Sequence, residues 1–129
     1  MPRLPQCQIV RLGLMEYTDT WQLQMEQAQN VAQGLQPDTL ILVEHPPVYT
    51  MGRTGNRQHV LLNDQELGDI GVALLEVDRG GRVTYHGPGQ RVAYVMLDLK
   101  KRGNDVRTFI HDLEQWVIRT LAHFNVIGE

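Results

Sequence analysis

Between Thr18 and Gln33, apolar side chains return at helical spacing: Trp21, Met25, Ala28 and Ala32, then Leu35. Gln and Asn fill the other face, so the pattern predicts an amphipathic, structural helix. Thr18 or Asp19 can cap its start, Gly34 suits the left-handed position after the last turn, and Pro37 bars continuation. Thr39 to Glu44 is a short continuous apolar run, which predicts a buried strand ended by His45-Pro46-Pro47. Val48 to Met51 predicts a second strand closed by Gly52, Arg53 to His59 a loop, and Asn63 or Asp64 the cap of a short helical turn through Leu67. Val72–Val77 and Val83–His86 predict further strands around a loop at Arg79–Arg82, with a Gly87-Pro88-Gly89 turn behind. Gln90 to Leu99 holds Val92, Tyr94, Val95, Met96 and Leu97 and predicts a strand buried on both faces. After a polar break at Lys100–Asn104, Asp105 caps a last helix. Its stripe is Val106, Phe109, Ile110, Leu113, Val117, Leu121 and Phe124, ending near Asn125. Ahead of Thr18 the pattern predicts no element. Helix, strands, helix, with hairpin-like turns between strands, is an α+β order: a mixed or mainly antiparallel sheet flanked by helices.

A length of 129 residues points to one domain, 1–129. The balance of 42% hydrophobic to 21% charged residues excludes a disordered chain. A net charge of −3 argues against nucleic acid as a partner. No apolar run is long enough to span a bilayer, and Met1 to Cys7 holds no secretory apolar core, so no membrane role is expected. One cysteine, Cys7, cannot form an internal disulfide, and a reducing, cytoplasmic setting follows most simply. His45, His59, His86, His111 and His123 lack metal-ligand spacing, so no metal site is expected. Ten arginines stand against two lysines, Lys100 and Lys101, so chemistry that needs a lysine has two adjacent candidates.

The densest chemistry lies at Asp78–Gln90, where four glycines, two arginines and a Thr-Tyr-His run share thirteen residues. Glycine pairs let a ligand approach backbone, arginine holds an anion or carbonyl oxygen, and a histidine beside a glycine turn can transfer a proton. The bland reading is a glycine-rich hairpin with solvated charges. Neither the phosphate-loop nor the dinucleotide spacing is present. A second candidate, Glu44-His45-Pro46-Pro47-Val48-Tyr49, would place His45 and Tyr49 at a sheet end; a proline-made crossover between strands explains it as well.

Together, Glu-His-Pro-Pro-Val-Tyr-Thr-Met-Gly at 44–52 and Arg-Gly-Gly-Arg-Val-Thr-Tyr-His-Gly-Pro-Gly-Gln at 79–90 resemble the octanoyltransferases of lipoate biosynthesis, within the biotin/lipoate protein ligase superfamily. Leu12-Gly13, Tyr17, Asp38, Tyr94, Leu97-Asp98-Leu99 and Leu113-Glu114 fit the same pattern. The resemblance implies a biotin/lipoate ligase-like fold. It also implies transfer of an octanoyl group from octanoyl-acyl carrier protein to a lysine of the lipoyl domains of 2-oxoacid dehydrogenases or of the glycine-cleavage H protein. The family does this through a cysteine thioester, with a lysine that lowers the cysteine pKa and with no cofactor. It assigns substrate binding to Arg79, Gly80, Gly81, Arg82, Val83, Thr84, Tyr85 and His86. The implied lysine and cysteine would lie beyond Phe124, so the sequence reads as a C-terminally truncated catalytic domain, with no catalytic residue assigned and no activity expected alone. Cys7, upstream of every motif at a frayed N-terminus, is not expected to be the nucleophile. A missing segment would also leave apolar surface open to self-association. Two other functions compete: a non-catalytic module that binds acyl carrier protein or lipoyl domains, and an ATP-dependent lipoate or biotin ligase.

Overall fold

The computed structural model describes residues 5–129, so the Met1–Leu4 part of the N-terminal reading lies outside the described residues. The chain divides into one compact unit through Leu97 and another from Asp98 to Glu129.

The first unit holds two three-stranded sheets. One has the order β1 (Cys7–Leu14), β2 (Asp38–Glu44), β6 (Val92–Met96). The other has the order β4 (Ala73–Glu76), β3 (Val48–Met51), β5 (Val83–His86). β1 runs parallel to β2 and β3 parallel to β4, while β6 and β5 pair antiparallel with β2 and β3. The sheets are therefore mixed, as expected, but among the described residues consecutive strands form no hairpins. The reason is the connections: α1 (Tyr17–Ala32) and α2 (Asp64–Asp69) carry the chain back between parallel neighbours, which a tight turn cannot do. β1 is an element that the pattern did not predict. It has a bulge between Arg11 and Gly13, and Gly13 takes φ +66°, which breaks the alternation that marks a strand.

Val31, Ile41, Val43 and Met96 form the core of the first sheet, with Val10, Leu12, Met15, Leu23, Val92 and Tyr94 packed on it. This places the inward face of α1 at Thr20, Leu23 and Val31, about one residue step around from the expected stripe. Trp21, Met25 and Leu35 are 40%, 64% and 72% exposed, and Ala28 and Ala32 are exposed too. Polar side chains took the inward positions because each found a partner: Gln36 Nε2 donates to Gln27 Oε1 and to Thr39 Oγ1. The cap also differs. Glu16 precedes the helix without a side-chain cap, Thr18 and Asp19 lie in its first turn, and the Thr20 hydroxyl donates to Glu16 O at 2.9 Å. Gly34 takes φ +71° as expected.

β6 is shorter than the predicted run, and only its Met96 is buried. Val92, Tyr94 and Val95 are half-buried and Ala93 is exposed, so two-sided burial does not occur. β3 and β5 match the predicted spans, and α2 is capped by Asn63, whose side chain accepts from Glu66 N while Glu66 accepts from Asn63 N. The predicted loop at 53–59 contains a 3-10 turn, Arg57–His59.

In the second unit the predicted polar break is a 3-10 turn, Leu99–Arg102, followed by left-handed Gly103 and Asn104. Asp105 caps α3 (Val106–Ala122) by accepting from Arg107 N and Thr108 N. Those bonds, the Thr108 amide and hydroxyl first, hold its carboxyl below the ordinary value. α3 stops three residues before Asn125, which takes φ +58°. Val106, Ile110, Val117 and Phe124 of the expected stripe are exposed. Gly128 packs on Ile118 and Leu121 of the same unit.

Candidate functional site

β2 ends at Glu44, and the next residue, His45, is completely buried. Its Nδ1 lies 2.8 Å from Met15 O and its Nε2 2.9 Å from the Tyr94 hydroxyl. A carbonyl only accepts, so Nδ1 carries the hydrogen and Nε2 accepts from Tyr94. Burial is the main cause that lowers the His45 pKa; the Met15 bond and the Glu16 charge oppose it, and the His86 charge adds to it. The Tyr94 hydroxyl is pushed up to about 12, first by burial and then by Tyr17, against a hydrogen bond from Gln24. Both groups are held neutral at physiological pH.

Four rings gather here from three elements and one connection: Tyr17 of α1, His45 after β2, His86 of β5 and Tyr94 of β6. The His45 ring centre lies 5.3 Å from Tyr17, 5.5 Å from His86 and 5.9 Å from Tyr94. Tyr17 and His86 stack at 6.0 Å with 14° between planes. Burial raises the Tyr17 pKa, and Arg79 opposes it. Pro46-Pro47 makes the crossover that the sequence allowed, and by carrying β2 of one sheet into β3 of the other it brings His45 against His86.

His86 pairs with Val48 across β3 and β5. Its Nδ1 lies 2.7 Å from Gln90 Oε1. Gly89 N donates to Glu44 Oε2 at 2.7 Å, so the first residue of the 44–52 motif fixes the turn that ends the second motif. Gly87 is buried under the Tyr85 ring, and a methyl there would collide with it.

At the other end of β5, the Arg79–Arg82 loop is latched to the segment after β3. Gly52 N donates to Arg82 O at 2.6 Å, Arg53 N to Arg79 O at 2.9 Å and Thr54 N to Gly81 O at 3.2 Å. A Cβ on Gly52 would lie 2.5 Å from Gly81 O and 2.8 Å from Gly80 O, so only glycine fits the latch. Arg79 Nη2 donates to Thr50 O at 2.6 Å and to the buried Thr50 Oγ1 at 2.9 Å. Its guanidinium thus fastens the loop. Gly80 faces open space, and Gly81 holds φ +84°.

The eight expected binding residues therefore form two groups. Arg79, Gly80, Gly81 and Arg82 surround Gly52, whereas His86 joins Tyr17, His45 and Tyr94. Between them lie half-buried Val83, exposed Thr84 and exposed Tyr85, whose ring tilts against Tyr49 at 5.3 Å. Val83 and His86 are about 10 Å apart along the strand. The sequence reading did not assemble Tyr17, Gln24, His45 and Tyr94. The signal it had was a histidine before two prolines, where a chain must turn between sheets.

Cys7 is the first residue of β1, paired with Asp38 instead of frayed, and its thiol is exposed. The parallel register sets it at the opposite end of the sheet from Met15 and His45, about 20 Å away along the strand. Lys100 and Lys101 stand in the 3-10 turn of the second unit, where Lys101 Nζ lies 3.5 Å from Asp98. Among the described residues, no three His, Cys, Asp or Glu side chains converge on a metal position, and no helix is long and apolar enough to cross a membrane. A groove of about 520 Å³ beside α2 is lined by Arg57, Leu67 and Leu74, and a cavity of about 150 Å³ by Arg11, Leu42, Glu44 and Arg91. Neither includes any of the eight.

Residues 16–129 match the lipoyl protein ligase A/B catalytic domain, and the chain belongs to that family. Its relatives include the octanoyltransferases of Brucella suis, 45% identical over 121 residues, and of Chloroflexus aurantiacus, 45% identical over 118 residues. The alignments cover 94% and 92% of this chain but 43% and 53% of those proteins, so the chain spans about half the length of the curated relatives it matches. Among solved structures it is similar to Ta0514 of T. acidophilum, a protein with a lipoate protein ligase designation. The TM-score is 0.66 at 16% identity, over 96% of this chain and 51% of that one. The expected ligase-like fold is thus the one observed.

Proposed function

We propose that the chain supplies the acyl-binding half of an octanoyl transfer site, as part of one catalytic domain. The donor is octanoyl-acyl carrier protein, and the acceptor is a lysine of a lipoyl domain or of the glycine-cleavage H protein. The observation that carries the reading is the pairing of two motifs across β3 and β5: residues 44–52 build the surface on which residues 79–90 are held. Gly80 gives room for a chain, and Tyr85 and Tyr49 offer an apolar wall. His86 lies at the polar end, beside two rings kept neutral by burial. A long acyl chain running beside an extended strand suits this order of groups.

Transfer through a cysteine thioester needs a thiolate near the acyl carbonyl. Cys7 lies at the wrong end of its sheet for that role. We therefore expect binding without turnover by these 129 residues, in a cytoplasmic setting. Binding of octanoyl-acyl carrier protein and of the unloaded carrier, measured by calorimetry, tests the reading. The octanoyl form is expected to bind at least tenfold tighter, and mass spectrometry of an added apo lipoyl domain is expected to show no octanoyl-lysine. Equal affinity for the two carriers would overturn acyl recognition. An octanoyl-lysine product lost in Cys7→Ala would overturn the assignment of Cys7.

A further inference from the structure

We propose that the cavity between Arg11 and Arg91 is a phosphate-ester subsite. The inference rests on the acyl-transfer reading above and deepens it: the phosphate is that of the arm on which an acyl carrier presents its thioester.

The cavity holds about 150 Å³, and Arg11, Gly13, Leu42, Val43, Glu44 and Arg91 line it. That is about five times the liquid volume of one water, room for a tetrahedral oxyanion and little more. Two features shape it. The bulge between Arg11 and Gly13 leaves Leu12 without a partner on β2, and a bulged strand bends at that point. Gly13 takes φ +66°, and a Cβ there would meet nothing within 4 Å. Across from it, Glu44 Oε2 accepts from Gly89 N, which anchors the turn that leads into Arg91.

The two guanidinia stand apart from the other arginines. Arg53 and Arg57 lie 2.7 and 2.9 Å from Asp78 and Asp64, and Arg79 is engaged by Thr50. Arg11 has no hydrogen bond or ion pair among the described residues, and Arg91 has Glu44 at 3.9 Å, outside hydrogen-bond range. The corner therefore carries two positive charges against one carboxylate, in a chain whose net charge is −3. Two like charges on one small cavity repel until an anion lies between them. A carboxylate has two oxygens in one plane and serves one guanidinium fork. A phosphate ester presents a tetrahedral set and serves two.

The cavity adjoins the acyl site. Glu44 directly precedes His45, and Arg91 is five residues from His86, so at most about 18 Å of chain separates those two side chains' backbones. A thioester beside His86 and a phosphate beside Arg91 are the two ends of one path along the 87–91 turn.

The test compares S-octanoyl-4′-phosphopantetheine with S-octanoyl-pantetheine by calorimetry on the full chain, with inorganic phosphate followed separately by nitrogen-15 NMR of the arginine side chains. The phosphorylated thioester is expected to bind about tenfold tighter. Arg11→Gln and Arg91→Gln, both at exposed positions, are each expected to remove most of that gain and to leave affinity for the phosphate-free thioester unchanged. The gain is expected to shrink as salt is raised. Equal affinity for the two thioesters overturns the inference and leaves the acyl-transfer reading standing, and so does a gain that survives both substitutions. Failure of both thioesters to bind overturns the acyl-transfer reading. Inorganic phosphate that then still moves the Arg11 and Arg91 Nε–H signals shows free phosphate as the ligand and overturns the assignment to a carrier arm.

Discussion

The two sheets of the first unit have the same strand arrangement and are held by different forces. In β1-β2-β6, the side chains of Ile41 and Val43 are almost fully buried against Val31 and Met96. In β4-β3-β5 the buried positions of the central strand are Val48 and Thr50, and the residues fastening it are polar. Arg79 grips Thr50, and the backbone of 79–82 is bonded to that of 52–54. Apolar burial is non-directional and tolerates no open side, whereas hydrogen bonds can hold a segment along one edge and leave its other side free. The acyl site proposed above would be built on the second kind of sheet and backed by the first.

This contrast can be broken from the apolar side first. Ile41→Ala should cost about 2–5 kcal/mol and unfold the first unit at lower urea, because the residue is fully buried in the packed cluster. Gly52→Ala should cost about 1–3 kcal/mol, since its methyl would meet Gly81 O and Gly80 O. Faster amide exchange at 79–82, with the Ile41 amide still protected, would be its signature; equal loss in both sheets would show that the two are held alike. Thr50→Val should cost about 1 kcal/mol, because Arg79 keeps its bond to Thr50 O and loses the one to Oγ1.

The smallest effect is in pH. The folded His45 pKa lies below its unfolded value near 6.5, so the unfolded chain binds more protons just under that pH. The stability this group contributes is therefore fully present above about pH 6.5 and declines as pH falls through the folded pKa. Tyr94 has the opposite sign: its contribution is present below its ordinary pKa and is lost as pH rises through about 12. Urea midpoints of wild type and His45→Gln should converge on acidification from pH 7 to pH 5; parallel midpoints would show that His45 titrates as an exposed ring does.

Where a strand is short and β-rich, a cap needs a short polar side chain or a turn needs glycine, the sequence was readable. β3, β5, the Asn63 and Asp105 caps and the left-handed Gly34 follow from local pattern alone. Where polar groups are buried in pairs, it misled. Gln24 and Gln27 look like a solvated face of α1, yet Gln24 bonds the Tyr94 hydroxyl and Gln27 Oε1 accepts from Gln36 Nε2. The same holds for the site. The glycine-rich segment stood out by composition, whereas Tyr17, His45 and Tyr94 are 28 and 49 residues apart along the chain and meet only through the pairing of strands. Arg79 stood out by type as an arginine beside a glycine pair, but its partner, Thr50, is a tertiary fact.

In the proposed function the 79–86 strand-and-loop and the His45 ring cluster form one acyl site. Nitrogen-15 amide shift mapping with S-octanoyl-N-acetylcysteamine tests it most directly. The largest shifts are expected on Gly80, Gly81, Tyr85 and His86, with Tyr17 and Tyr94 moving at the same ligand concentrations. Shifts confined to the groove lined by Leu67 and Leu74, with residues 79–86 unmoved, would contradict it.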